Sequence, residues 1–99
     1  MAIFILVTKV SADLTQDLSE RKALGEKWLK EIKAKCPEVK FLHHWALLGP
    51  YDFLDVFEAP DHETAIKVSL LTRSAGATVA ETWTATAYAR FLELIEEVS

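Results

Sequence analysis

Two adjacent histidines, His43 and His44, lie upstream of a Gly49-Pro50 dipeptide, and Tyr51, Asp52 and Asp55 lie downstream of it. An imidazole facing a carboxylate is an orienter-and-base pair, because the carboxylate fixes the ring tautomer and makes the ring a better base. Whether these residues meet depends on the turn between them. Glycine and proline between apolar runs read as a hairpin turn: proline fixes its own φ, and glycine tolerates angles that other residues do not. A two-residue turn at Gly49-Pro50 sets Leu48 opposite Tyr51, and His44 then falls opposite Asp55, on the same face as Phe53 and Tyr51. A one-residue bulge would bring His43 into that role instead. The structural alternative is a satisfied His–Asp contact with no chemistry, since buried polar groups usually have partners.

The remaining polar candidates divide in the same way. Tyr51 either offers a phenol at the mouth of a pocket or packs on the sheet while Asp52 bonds turn amides. Glu81 and Arg90 read as an acid and an anion anchor, or as a strand-to-helix ion pair. Trp28, Trp45 and Trp83 suit a core or an interface better than a stacking platform, with no basic cluster around them. The expected catalytic set is His44, Asp55 and Tyr51. The expected ligand contacts are His43, Trp45, Asp52, Phe53, Glu81 and Trp83. His43 and His44 point to opposite faces of a strand and do not readily share one ion, and His, Asp55 and Glu81 have no ligand spacing, so no metal is expected. His62 is expected to be exposed on a helix. The lone cysteine, Cys36, excludes an internal disulfide, and despite Lys33 and Lys35 it reads as an unreactive thiol at a helix end. No nucleophile elbow, phosphate loop or dinucleotide fingerprint occurs, which removes hydrolase, kinase and nicotinamide-enzyme readings, and no cofactor is expected.

Ninety-nine residues make one small domain with one core. A hydrophobic content of 51% is rich for so little interior, a first sign that apolar surface is buried against a partner. The net charge of −4 leaves no basic footprint for nucleic acid. The apolar N-terminal run is short, has no basic leader and is followed at once by Thr8 and Lys9. It reads as neither signal peptide nor membrane span, so a soluble, cytoplasmic protein is expected.

The elements that must position the candidates follow from periodicity. Residues 2–9 are apolar on both sides, as in a central strand covered on both faces. Residues 10–17 are a polar connection with Ser11, Asp13 and Thr15 as possible caps. Leu24, Trp28 and Ile32 recur at four-residue spacing in a helix over residues 18–35, where Gly25 marks close packing on the sheet. Cys36-Pro37 ends it. Residues 39–48 and 51–58 form the hairpin, Asp61 caps a second helix to about Thr72, and residues 78–88 form a fourth strand. Phe91, Leu94, Ile95 and Val98 make an amphipathic C-terminal helix. The order is βαββαβ plus a helix: an α+β, ferredoxin-like chain with a four-stranded antiparallel sheet. Helices cover one face of such a sheet. A second copy is the economical cover for the other, so a homodimer is expected, with the stacking of dimers into larger rings left open.

Leu48-Gly49-Pro50-Tyr51-Asp52-Phe53, continuing into Val56-Phe57-Glu58-Ala59-Pro60-Asp61, resembles the GYD family. Phe4-Ile5 in the first strand and Glu81-Thr82 in the last extend the resemblance over the chain. It implies a dimeric α/β barrel of ferredoxin-like fold, a group that holds cofactor-free monooxygenases, haem-degrading enzymes, decarboxylases, muconolactone-type isomerases and ligand-sensing modules. The GYD family has no common function to transfer. Asp55 and the His43-His44 pair depart from the aliphatic and aromatic residues expected there, which is where a function particular to this chain would show. The resulting expectation is a pocket for a small aromatic or carboxylated molecule. A cofactor-free enzyme with a histidine base and a purely structural or sensing module are the alternatives.

Overall fold

The apolar N-terminal run forms β1 (Ala2–Val10) in a computed structural model that describes residues 1–12 and 18–99. There follow α1 (Leu18–Lys35), β2 (Lys40–Ala46), β3 (Phe53–Ala59), α2 (His62–Ser74), β4 (Ala77–Ala85) and α3 (Tyr88–Val98). The strands pair antiparallel in the order β2-β3-β1-β4, the ferredoxin-like topology that the alternation of elements predicts. β1 is central, as its two apolar sides require. Asp13 and Thr15, two of the possible caps, lie outside the described residues.

The core sits between the sheet and the two crossover helices. Phe4 and Leu6 of β1, Phe57 and Ala59 of β3 and Ala80 of β4 meet Ile32 of α1, Cys36 just beyond its end, and Ala65 and Val68 from α2. Phe57 stacks on Phe4 at 5.6 Å and lies against Phe41 of β2 at 5.7 Å. The Asp61 carboxylate accepts hydrogen bonds from the Thr64 backbone N–H and hydroxyl, capping α2 as expected. Cys36 is buried at the end of α1, and burial pushes its thiol above the ordinary value.

Three expectations change. The Gly49-Pro50 turn is not a two-residue hairpin but part of the loop over residues 47–52, closed by the Leu47 N–H donating to the Asp52 carbonyl at 2.8 Å. Gly49 does not adopt a positive φ there; Gly76, at 113°, does. Gly25 is not pressed on the sheet, since a Cβ built on it meets nothing within 4 Å. Arg90 pairs with Glu93 and Glu97 of its own helix at 2.8 and 2.9 Å, not with Glu81.

The sheet face turned away from the helices carries Ile3, Ile5, Leu54 and Val56, with Trp45 and Trp83 50% and 44% exposed. Every residue of α3 is exposed, and the chain measures 53 Å along its long axis against 30 and 18 Å across. Among the described residues, no helix is long and apolar enough to cross a membrane.

Candidate functional site

His44 and Asp55 are direct cross-strand partners on β2 and β3. The longer loop leaves their pairing unchanged because it is centred where the tight turn would be. A bulge does occur, between Phe41 and His43, on the far side of His44 from the loop. It sets Phe41 and His44 on the same, helix-facing side, and it leaves His43 on the open face, stacked on Trp45 at 4.7 Å.

The His44 Nδ1–H donates to Asp55 Oδ1. The two side chains differ sharply in exposure, 56% for His44 and 2% for Asp55. The carboxylate is therefore the buried orienter and the ring the presented group. Burial pushes the Asp55 carboxyl above its ordinary range, while the charge and hydrogen bond of His44 pull the other way. The ring stacks on Phe53 and on Trp28, each at 5.8 Å between centroids. Trp28 is itself anchored: its Nε1–H donates to Thr72 Oγ1 of α2 at 2.9 Å, and the Thr72 hydroxyl donates to the Val68 carbonyl. Both helices thus hold the ring that holds the histidine.

The pair lies in the wall of a cavity of about 450 Å³ between α1 and the sheet. Leu24, Gly25 and Trp28 form its helical side, and Thr8, Phe41, Phe53 and Asp55 form its sheet side. Arg21 and Lys22 stand among its lining residues, with the Arg21 guanidinium 5.8 Å from the centre of the Phe53 ring. The His44 ring and the Arg21 guanidinium thus lie against the same phenyl ring, Phe53, in a mostly apolar wall.

The family model for the GYD domain matches residues 4–95. The chain belongs to the GYD family. No protein of curated function matches it. Two crystal structures are similar in fold: FFRP-DM1, with TM-score 0.58 and 17% identity over 87% of this chain and 100% of that one, and TTHA0845 from Thermus thermophilus, with TM-score 0.58 and 21% identity over 88% and 95%.

In this GYD domain the signature residues sit elsewhere than at the dyad. Tyr51 does not share the face of His44. Its hydroxyl donates to Glu81 Oε2 at 2.6 Å, a bond that pushes the phenol upward, and Trp83 donates to the other oxygen at 3.4 Å. The Asp52 carboxylate, unlike its carbonyl, bonds no amide of its own loop among the described residues. It accepts from the Val10 N–H at 2.9 Å, where the β1–β4 register shifts, and the Asp52 N–H donates to the Thr8 carbonyl. The signature aspartate ties the loop to the end of the central strand.

The expected ligand contacts consequently split. Phe53 lines the cavity with His44 and Asp55, whereas His43, Trp45, Glu81 and Trp83 lie on the open face and Asp52 is engaged by backbone. His62 is exposed at the start of α2. Among the described residues, no group of three or more histidines, cysteines and carboxylates gathers at metal-binding distance. Sequence reasoning missed Arg21, Leu24, Gly25 and Thr72. A glycine in mid-helix beside a four-residue apolar stripe was the signal for the cavity wall, and it equally described a packed core.

Proposed function

We propose that this GYD domain binds a small, flat, mostly apolar acid in the cavity between α1 and the sheet, as a homodimer closed through its open sheet faces into an α/β barrel. The observation that carries the binding reading is the His44–Asp55 dyad set in an apolar wall. Burying a carboxylate costs free energy, and here it serves to hold one imidazole whose other nitrogen, Nε2, is left for a ligand. Trp28 and Phe53 offer stacking faces, and Arg21 supplies a cation for a carboxylate.

The same dyad favours a second reading, a cofactor-free isomerase or oxygenase in which His44 removes a proton from a phenolic or enolisable substrate. Alanine at position 44 then abolishes turnover and leaves the dimer intact.

The test is calorimetric titration with salicylate, benzoate and phenol as probes. Salicylate, which has both the hydroxyl and the carboxylate, binds tightest. Gly25→Trp, which fills the slot from a position with no near neighbour, abolishes binding, and Trp83→Phe on the opposite face leaves it unchanged. Equal binding of all three probes to wild type and Gly25→Trp sinks the proposal.

A further inference from the structure

We propose that Thr8 selects the ligand of the cavity between α1 and the sheet. Its hydroxyl bonds a polar group at the end of an aromatic acid remote from the carboxylate, so the preferred ligand is a ring-hydroxylated acid. This selection rests on the binding of an acid proposed above and adds the group that the ligand carries at its other end.

Two threonines line the cavity, and their hydroxyls differ in what they do. Thr72 on α2 is fully engaged, accepting from the Trp28 indole and donating to the Val68 carbonyl. Thr8 on β1 is only 5% exposed, and its hydroxyl forms no hydrogen bond among the described residues. It follows Phe4 and Leu6 in the row of β1 that faces the helices, and both of those are apolar core. Burying a hydroxyl without a partner costs free energy that a valine of the same shape avoids. At the wall of a cavity, a ligand group that meets the hydroxyl recovers that cost.

Strand order sets Thr8 and His44 on different sides of one ring. Thr8 is the cross-strand partner of Phe53 from β1, whereas His44 stacks on Phe53 from β2, and β3 runs between them. An aromatic acid lying over Phe53 with its acid end toward His44 therefore turns its far edge toward Thr8. The backbone at that position is fixed by the signature aspartate. The Asp52 N–H donates to the Thr8 carbonyl at 2.8 Å, and its carboxylate accepts from the Val10 N–H at 2.9 Å. A threonine hydroxyl both donates and accepts, so it pairs with a phenol and gains nothing from a methyl group of similar size.

The experiment is calorimetric titration of the full chain with para-hydroxybenzoate and para-toluate, which carry a hydroxyl and a methyl group at the same ring position. Wild type binds para-hydroxybenzoate about tenfold tighter than para-toluate. Thr8→Val removes that preference, and Thr8→Ser, which keeps the hydroxyl, retains it. A preference that survives in Thr8→Val, or is absent from wild type, overturns the selection. In urea denaturation Thr8→Val is at least as stable as wild type, because it removes an unpartnered hydroxyl. A clear loss of stability would give that hydroxyl a structural partner and overturn the proposal as well. Salicylate tells the two failures apart. If it binds wild type and not Gly25→Trp while the para-substituted acids show no dependence on Thr8, the cavity stands and Thr8 does not select. If no acid binds, the cavity and the selection fall together.

Discussion

At the scale of single residues, the His44–Asp55 pair sets stability against function. Burial raises the Asp55 carboxyl, so the folded chain holds that proton more tightly than the unfolded one. The contribution of this group is complete below the ordinary carboxylate range and is lost as pH rises through the higher folded value. Asp55→Asn therefore flattens that part of the pH–stability curve. By urea denaturation at pH 8 it is as stable as wild type or about 1 kcal/mol more stable. It nevertheless loses ligand affinity, because an amide at this position no longer holds the His44 tautomer. A marked loss of stability at pH 8 would show that the His44–Asp55 hydrogen bond outweighs the cost of burial. This pairing was legible in the sequence, since any loop centred on residues 49 and 50 puts positions 44 and 55 opposite each other. The face occupied by Tyr51 was not, because alternation fails where the strand ends: residue 51 lies in the loop, and its direction is set by Glu81 across the sheet.

At the scale of elements, periodicity reported the helices and strands but not what they press against. Leu24, Trp28 and Ile32 share one stripe, yet Ile32 is core and Leu24 lines the cavity, because α1 stands off the sheet toward its N-terminus. Gly25 lies on that open stretch, so Gly25→Ala adds a methyl group into free space and removes a backbone-entropy cost. It should stabilise the protein by about 1 kcal/mol in urea denaturation, and destabilisation would mean that the slot is closed in solution. The α2 cap behaves oppositely to Asp55. Hydrogen bonds from Thr64 hold the Asp61 carboxyl below its ordinary value, so its contribution is full above that value and is lost as pH falls through the lowered one. Asp61→Ala accordingly lowers Tm at pH 7, and the wild-type and variant curves converge under strongly acidic conditions. A constant gap across pH would mean that the side chain acts by packing instead of by its charge.

At the scale of the whole molecule, the two faces of the sheet are unequally covered. One sheet face is covered by α1 and α2, and the other presents Ile3, Ile5, Leu54 and Val56 between Trp45 and Trp83. The apolar excess visible in composition is located here and on α3, the surfaces on which the expectation of a partner rests. Tryptophans at the centre of an interface commonly contribute about 2 kcal/mol or more to binding, roughly thirtyfold in affinity. Trp45→Glu should raise the dimer dissociation constant by at least that factor in sedimentation velocity runs. Its circular dichroism should stay unchanged, because Trp45 is half exposed within the protomer and its loss opens no core cavity. Lys30→Glu, on the solvent side of α1, serves as the charge-change control and leaves the dimer as it was. A Trp45→Glu protein that sediments as wild type would remove the open sheet face from the interface.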